Sequence, residues 1–189
     1  MKKNDIEKEF LTEIDTEVRT RSRKRKQSIN SKRKGNHFEY TVYKMLNEKW
    51  GEDLFQRSMG SGNVYGGGNR SKSNGVDQFV KEFFTGDVVP RKDFGFRFSI
   101  ECKSYADTGI FWELFNDASN LHGFMSQAEG DAKSIGKTPM LITKYNNHKP
   151  IVYLKEKAPI KYFFEHNGWY CYDFEELLTI PNEFFILKK

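Results

Sequence analysis

The segment Ser99–Tyr105 constrains this chain more than any other, because apolar and charged residues alternate along it. Alternate residues of a β-strand share one face, so Glu101 and Lys103 are predicted to point one way and Ile100 and Cys102 the other. The ordinary explanation is an exposed ion pair on an edge strand, which contributes little stability. The alternative is a functional site, and the neighbouring residues bear on the choice.

A second acid precedes this segment at a separation that suits a hairpin. Asp87 lies fourteen residues before Glu101, which leaves room for two antiparallel strands and a turn. Asp77 and Asp93 are alternatives, but Asp77 follows a flexible stretch and Asp93 falls in the expected turn, so Asp87 is favoured. Two carboxylates can hold Mg²⁺, or Mn²⁺ in its place, and the ion can polarise a phosphate and activate water. A nearby lysine can orient that water, so the pattern predicts metal-dependent phosphodiester hydrolysis.

Positive charge is concentrated near the N-terminus. The formal net charge is +5, and nine lysines or arginines with no acid lie between Arg19 and Lys34. Such a run releases counterions when it binds nucleic acid, so it predicts contacts with a phosphate backbone; a solvated tail or a localisation signal is the alternative. The predicted DNA-binding residues are this run and three later cations: Arg19, Arg21, Arg23, Lys24, Arg25, Lys26, Lys32, Arg33, Lys34, Arg57, Arg70 and Lys72.

The composition pattern predicts three regions. Residues 1–34 combine a weakly amphipathic helix at 5–18 with the basic arm, which alone cannot bury enough apolar surface to fold. Residues 35–155 are the predicted catalytic core, and residues 156–189 a C-terminal strand and helix extension.

The predicted elements alternate between helices and strands. They are a helix from Gly35 to about Trp50, strands at 54–58, 83–89 and 94–103 with a turn at 90–93, a helical region over 110–135 broken near Gly123, strands at 140–144, 151–154 and 169–172, a short helix capped by Asp173, and an apolar tail at 184–187. The Gly-rich stretch 60–75 is predicted as a flexible loop. This order predicts an α/β sandwich on a mixed sheet.

Several classes of protein do not fit the composition. No apolar run approaches the ~20 residues that a membrane span requires, and the charged N-terminus does not resemble a secretory signal. Cys102 and Cys171 are predicted to be thiols in a reducing compartment, which favours a cytoplasmic location. The four histidines lack the spacing of zinc ligands.

Asp87 followed by Glu101, Cys102 and Lys103 resembles the PD-(D/E)XK nuclease signature, with Gly86 in place of the usual proline. The glycine is expected to let a metal ion and a DNA backbone approach closely. The resemblance implies that Asp87 and Glu101 are metal ligands and that Lys103 is the catalytic lysine. It also implies a restriction-endonuclease-like α/β core with a central mixed β-sheet flanked by helices.

Three further motifs resemble the archaeal and phage Holliday junction resolvases. Lys34 to Glu39 is similar to their opening Lys-Gly pair and acidic helix, Arg57 to Gly62 to their Ser-Gly strand end, and Gln127 to a glutamine on the helix after the active strand. The likeness covers about residues 34–144. It implies that Glu39 assists metal or water binding and that Gln127 buttresses the lysine. Exposed helix positions are the ordinary alternative for both residues.

The likeness also implies a substrate and a partner. It predicts Mg²⁺-dependent cleavage of branched DNA in recombination or replication, in the host cytoplasm if a phage encodes the chain. Cutting opposing strands of a junction needs two active sites, so a C2 homodimer follows, with the helix at 5–18 or the tail at 184–187 as contacts. A restriction or DNA-end-processing nuclease is the nearest alternative. Two other classes stay open: a non-catalytic nucleic-acid-binding protein on the same fold, and an RNA-binding or assembly protein that works through its basic arm.

Overall fold

The computed structural model describes residues 31–59, 75–106 and 120–187. The helix predicted at 5–18, most of the basic arm, nearly all of the Gly-rich stretch and the aromatic segment 107–119 lie outside the described residues. Residues Met1–Lys34 and Gly35–Lys189 are two compact units, and every described strand belongs to the second. None of the described helices has the length and apolar character needed to cross a membrane.

The second unit is built on one sheet. The described elements, in chain order, are α1 (Ser31–Trp50), β1 (Phe55–Arg57), α2 (Gln78–Phe84), β2 (Val88–Pro90), β3 (Phe98–Tyr105), α3 (Asn120–Ser134), β4 (Thr138–Tyr145), β5 (Ile151–Leu154), β6 (Phe164–His166), β7 (Trp169–Asp173), α4 (Phe174–Leu177) and a 3₁₀ helix (Asn182–Phe184). The seven strands lie in the order β1-β2-β3-β4-β5-β7-β6. Among the described strands only β3 and β4 pair in parallel, so the sheet is mixed, as predicted.

Helices cover both faces of this sheet. Val42 and Leu46, four residues apart on α1, share a core cluster with Ile100 of β3. On the other face, Met125 of α3 packs with Leu141 of β4. Alternate strand residues therefore enter two cores, and the helix–sheet–helix arrangement confirms the predicted α/β class.

The crossover between β3 and β4 positions the charged face of the active strand. A parallel pair needs a long connection, and α3 is the described helical part of that connection. Ile100 and Cys102 belong to the core beneath α1. Glu101 and Lys103 therefore face the side of the sheet that α3 covers.

The strand predicted at 83–89 is wrong in its first half. Residues 78–84 form α2, and β2 begins only at Val88. Aromatic residues at 79 and 83 recur at helical spacing, and the period-2 interpretation overlooked this. The next strand also begins later than predicted, at Phe98, and it extends to Tyr105.

Other element boundaries also differ from the prediction. Helix α1 begins at Ser31, within the basic run, and α3 continues through Gly123 without the predicted break. Strand β6 was not predicted, and Pro90 belongs to β2 although it was assigned to the turn. The cap of α4 is confirmed, since the Asp173 side chain accepts a hydrogen bond from the Glu176 N–H at 3.1 Å.

The C-terminal residues pack into the chain's own core. Phe185 is fully buried, and Ile186 forms an isolated bridge with Phe96. Leu187 is 57% exposed and could still meet a partner.

The sheet also continues across residue 155, because β5 pairs with β7. The domain boundary placed there stays a prediction.

Candidate active site

Asp87 forms hydrogen bonds with the two residues of β3 that flank Glu101. The backbone N–H of Asp87 donates to the carbonyl of Ile100 at 2.8 Å, and Asp87 Oδ2 accepts the N–H of Cys102 at 2.8 Å. Strands β2 and β3 are antiparallel neighbours. The two acids are 7% and 4% exposed, respectively. Asp87, directly before β2, and Glu101, on β3, are therefore buried next to each other.

Gly86 is required by the neighbouring strand. Its φ angle is +88°, and a Cβ at this position would lie 2.8 Å from the carbonyl oxygen of Ile100. Real Cβ atoms essentially never approach backbone oxygen so closely. The sheet itself therefore excludes a side chain at position 86. This contact, and not an approaching DNA backbone, explains the glycine.

Glu101, Lys103 and Gln127 are each hydrogen-bonded to the other two. Lys103 Nζ donates to Glu101 Oε1 at 2.6 Å and to Gln127 Oε1 at 3.4 Å. The amide nitrogen of Gln127 donates to the same Glu101 oxygen at 2.8 Å. Because Gln127 lies on α3, the helix fixes the position of the ammonium group from the side opposite the strand.

Glu39 reaches the site from α1. It is 8% exposed, and its Oε2 pairs with the guanidinium of Arg57 at 2.6 Å. Arg57 also donates to Asn36 Oδ1 at 3.0 Å. The negative charge of Glu39 acts on both Asp87 and Glu101. The two predicted motif segments, 34–39 and 57–62, are thus joined by an ion pair.

The electrostatics of the site favour a cation. Burial and then the charge of Glu101 raise the pKa of Asp87 well above its usual value, although the Cys102 N–H opposes the rise. Burial also raises the pKa of Glu101 against the opposing effect of Lys103. Burial lowers the pKa of Lys103, but the ion pair with Glu101 outweighs it, so that pKa is raised and the lysine stays charged.

The donor set fits a hard divalent ion that keeps water or phosphate ligands. Among the described residues, no three His, Cys, Asp or Glu side chains converge closely enough to hold a metal by themselves. The hydrogen bonds that the two acids accept within the described residues end on Asp87 Oδ2 and Glu101 Oε1. Each acid thus offers a second oxygen. Mg²⁺ is commonly bound through one or two carboxylates, with water and substrate phosphate completing its octahedron.

The two alternative acids lie elsewhere. Asp93 is exposed in the turn after β2, where its Oδ1 accepts the N–H of Gly95 at 2.9 Å. Asp77 is exposed, and its carbonyl accepts the Lys81 N–H at 3.0 Å. The Asp93 side chain thus has a local role in the turn, and Asp77 lies directly before α2.

The structure also shows an acid that the sequence argument missed. Asp131 is 2% exposed on α3, and its charge raises the pKa of Glu101. It lies four residues after Gln127, so both residues share one face of the helix. The spacing of four residues between Gln127 and Asp131 was the sequence signal that could have identified Asp131.

Few of the predicted DNA-binding residues are described. Lys32, Arg33 and Lys34 lie in the first turn of α1, with Arg33 exposed. The remaining members of the basic run and the loop cations lie outside the described residues: Arg19, Arg21, Arg23, Lys24, Arg25, Lys26, Arg70 and Lys72. Their contacts with DNA stay predictions.

The mixed sheet lies between helices, with Asp87 directly before β2 and Glu-Cys-Lys on β3. This arrangement defines the restriction-endonuclease-like class of fold. The model of a family described as "Phage putative PDDEXK endonuclease" matches residues 30–177. The chain belongs to this family and therefore to the PD-(D/E)XK nuclease superfamily. The match continues past the expected limit near residue 144 and includes β7 and α4. Neither the curated proteins nor the solved structures include a match to the chain.

Proposed function

We propose that this nuclease is a Mg²⁺-dependent endonuclease that cleaves branched DNA, with Asp87 and Glu101 as its metal ligands. The observation that carries the proposal is the buried pair of acids, Asp87 directly before β2 and Glu101 on β3, with the Lys103 ammonium 2.6 Å from Glu101. Such an excess of buried negative charge is costly unless a cation joins it. Mn²⁺ has the same ligand preference and should substitute.

Asp87 and Glu101 would hold the divalent ion, which when bound would polarise the scissile phosphate and lower the pKa of a coordinated water. The chain supplies the remaining groups. The Cys102 N–H fixes the orientation of the Asp87 carboxylate. Lys103 donates a hydrogen bond to the attacking water or to the phosphate oxygen that gains charge. Gln127 holds the lysine in place through Glu101, which makes it a positioning residue.

Two further groups support the reacting centre. Glu39, held by Arg57, adds negative charge beside Asp87 and would accept a hydrogen bond from the attacking water. Lys32, Arg33 and Lys34, together with the basic arm that precedes them, bind the phosphate backbone. Affinity for DNA should therefore fall steeply with salt and depend little on base sequence.

The preference for branched DNA rests on the resolvase-like segments. Both contribute to one structural unit, because Glu39 from the first pairs with Arg57 from the second. Symmetric cutting of a junction needs a second active site, so the proposed functional form is a C2 homodimer. As a member of a phage family, the enzyme would act in the host cytoplasm.

Cleavage of a four-way junction, a linear duplex and a single strand of matched sequence tests this function. We expect Mg²⁺ to support cutting of the junction, EDTA to abolish it, and Asp87→Asn to remove it. Asp93→Asn is the matched control, since Asp93 is an exposed acid of the turn after β2, and it should retain the wild-type rate. Cutting that persists in Asp87→Asn would contradict the assigned site. Equal cutting of all three substrates would contradict the preference for branches.

A further inference from the structure

We propose that Tyr105 and Phe124 form a base-stacking platform beside the catalytic lysine, and that it directs cleavage to DNA with an unpaired nucleotide at the scissile position. The inference rests on the proposed nuclease function and adds a class of substrate to it. The partner it implies is a base that has left the double helix.

The strand places Tyr105 next to the reacting groups. Glu101, Lys103 and Tyr105 lie at alternate positions of β3 and share one face of the sheet. Two strand residues span about 7 Å, so the tyrosine is one side chain beyond the lysine. The charges of Lys103 and Glu101 both act on the Tyr105 phenol, which places the ring within the electrostatic field of the site.

The helix that holds Gln127 supplies the second ring. The rings of Tyr105 and Phe124 are stacked, with centroids 5.4 Å apart and an interplanar angle of 23°. Lys103 Nζ lies 5.3 Å from the Phe124 centroid. Both rings are partly exposed. The ammonium group and the two rings are therefore neighbours, and each is partly exposed.

The physical consequence follows from where bases lie in DNA. In a duplex, the bases are stacked on their neighbours inside the helix, while the phosphates lie outside. A ring beside the scissile phosphate can stack only on a base that is already unpaired or easily extruded. Base–aromatic stacking tolerates any base, because every base has a π-face. The platform thus selects forks, flaps, junction points and single strands without selecting sequence.

Fluorescence of 2-aminopurine tests the stacking directly. The probe is a forked duplex that carries 2-aminopurine at successive positions of the unpaired strand, mixed with full-length Asp87→Asn protein so that no cutting occurs. We expect quenching at one or two positions. Adding Tyr105→Leu should remove that quenching and weaken binding about tenfold. Tyr105→Phe should retain both, because the ring and not the hydroxyl makes the stack.

Tyr162→Leu is the matched control. Tyr162 is a partly buried aromatic that packs against the core beneath α1, on the other side of the sheet, so its loss should not alter quenching. Thermal unfolding of each variant verifies the fold, and Phe124→Leu serves as the second variant if Tyr105→Leu does not fold. Quenching that persists in both variants, or that is absent from the Asp87→Asn parent, would overturn the platform.

Cleavage separates failure of the inference from failure of the proposed function. Wild-type protein should cut the fork at least tenfold faster than a fully paired duplex, and Tyr105→Leu should reduce this ratio about tenfold. If the wild type cuts the fork and Tyr105→Leu keeps the same ratio, the platform is wrong and the nuclease stands. If the wild type cuts neither substrate with Mg²⁺ or Mn²⁺, both proposals fail.

Discussion

Two charged clusters lie along β3, and they are balanced differently. At the beginning of the strand, Arg97 pairs with Glu156 at 2.7 Å, donates to the carbonyl of Phe184, and lies over the rings of Phe98 and Phe184. One cation meets one anion there, and the pair ties the C-terminal segment to the sheet.

The cluster in the middle of the strand gathers buried acids around two described cations. Glu39, Asp87 and Glu101 are buried there, and Arg57 and Lys103 pair with two of these acids. Burial raises the pKa of Asp87 and Glu101. Under the proposed function the two clusters differ in charge: the Arg97–Glu156 pair is neutral, whereas Asp87 and Glu101 keep negative charge that a bound ion would neutralise.

The largest expected difference between the clusters is in catalysis. Lys103→Ala should lower the cleavage rate by about 10²–10³-fold, because it removes the charged donor that we propose acts on the attacking water or the phosphate. Arg97→Met should leave the rate per folded molecule unchanged. Single-turnover kinetics on one junction substrate measures both variants. Equal losses in the two variants would remove the distinction between the clusters.

Gly86→Ala should produce the largest change in stability. A Cβ at this position meets the Ile100 carbonyl oxygen at 2.8 Å and also forces a side chain into a positive φ, so we expect a loss of about 3 kcal/mol. Gly51→Ala is the control, since Gly51 has a φ of +65° but open space around it. It should lose about 1 kcal/mol. Urea unfolding measures both, and equal losses would show that the β3 contact is unimportant.

Arg97→Met should cost about 2 kcal/mol of unfolding free energy, since it removes a partly buried ion pair and the packing over two rings. The control is Arg91→Met. Arg91 pairs with Asp53 at 3.2 Å where both side chains are exposed, and such a pair contributes roughly 0–1 kcal/mol. A loss in Arg97→Met no greater than in Arg91→Met would mean that the first cluster is not a structural clamp.

The last expected effect is of opposite sign, a gain in stability. In EDTA, Asp87→Asn should unfold at a higher temperature than the wild type at neutral pH. The folded state raises the Asp87 pKa, so ionisation opposes folding as pH rises above the unfolded value of ~3.9. Near that value and below it the two proteins should unfold alike. Scanning fluorimetry across pH measures the difference. A wild type that is more stable than Asp87→Asn at neutral pH in EDTA would contradict the sign.

The active strand was the most predictable part of the molecule. Strict alternation over Ile100–Lys103 determined which side chains share a face, and the family match supports the class that this pattern predicted. Periodicity failed where two periods overlap, as at 78–84, where closely spaced aromatic residues fit a helix and a strand equally. Strand β6 was missed although its turn is Asn167-Gly168, with φ angles of 50° and 74° that are typical of a two-residue hairpin.

Contacts between distant segments could not be predicted from local pattern. The Glu39–Arg57 pair joins residues eighteen positions apart on a helix and a strand, and nothing in either segment alone indicates the partner. Burial of Asp131 depends on how α3 packs on the sheet. The predicted helical region, 110–135 with a break near Gly123, did not define which helix face would meet the sheet. Tertiary packing, rather than local propensity, determines these positions.

Calorimetric titration of Mn²⁺ into the metal-free protein tests most directly whether the acids at β2 and β3 form a metal site. The wild type should bind the ion, and Asp87→Asn should bind it at least tenfold more weakly. Asp93→Asn should bind as the wild type does. Equal affinity in all three proteins would contradict this assignment, since the ion would then bind somewhere other than beside Asp87.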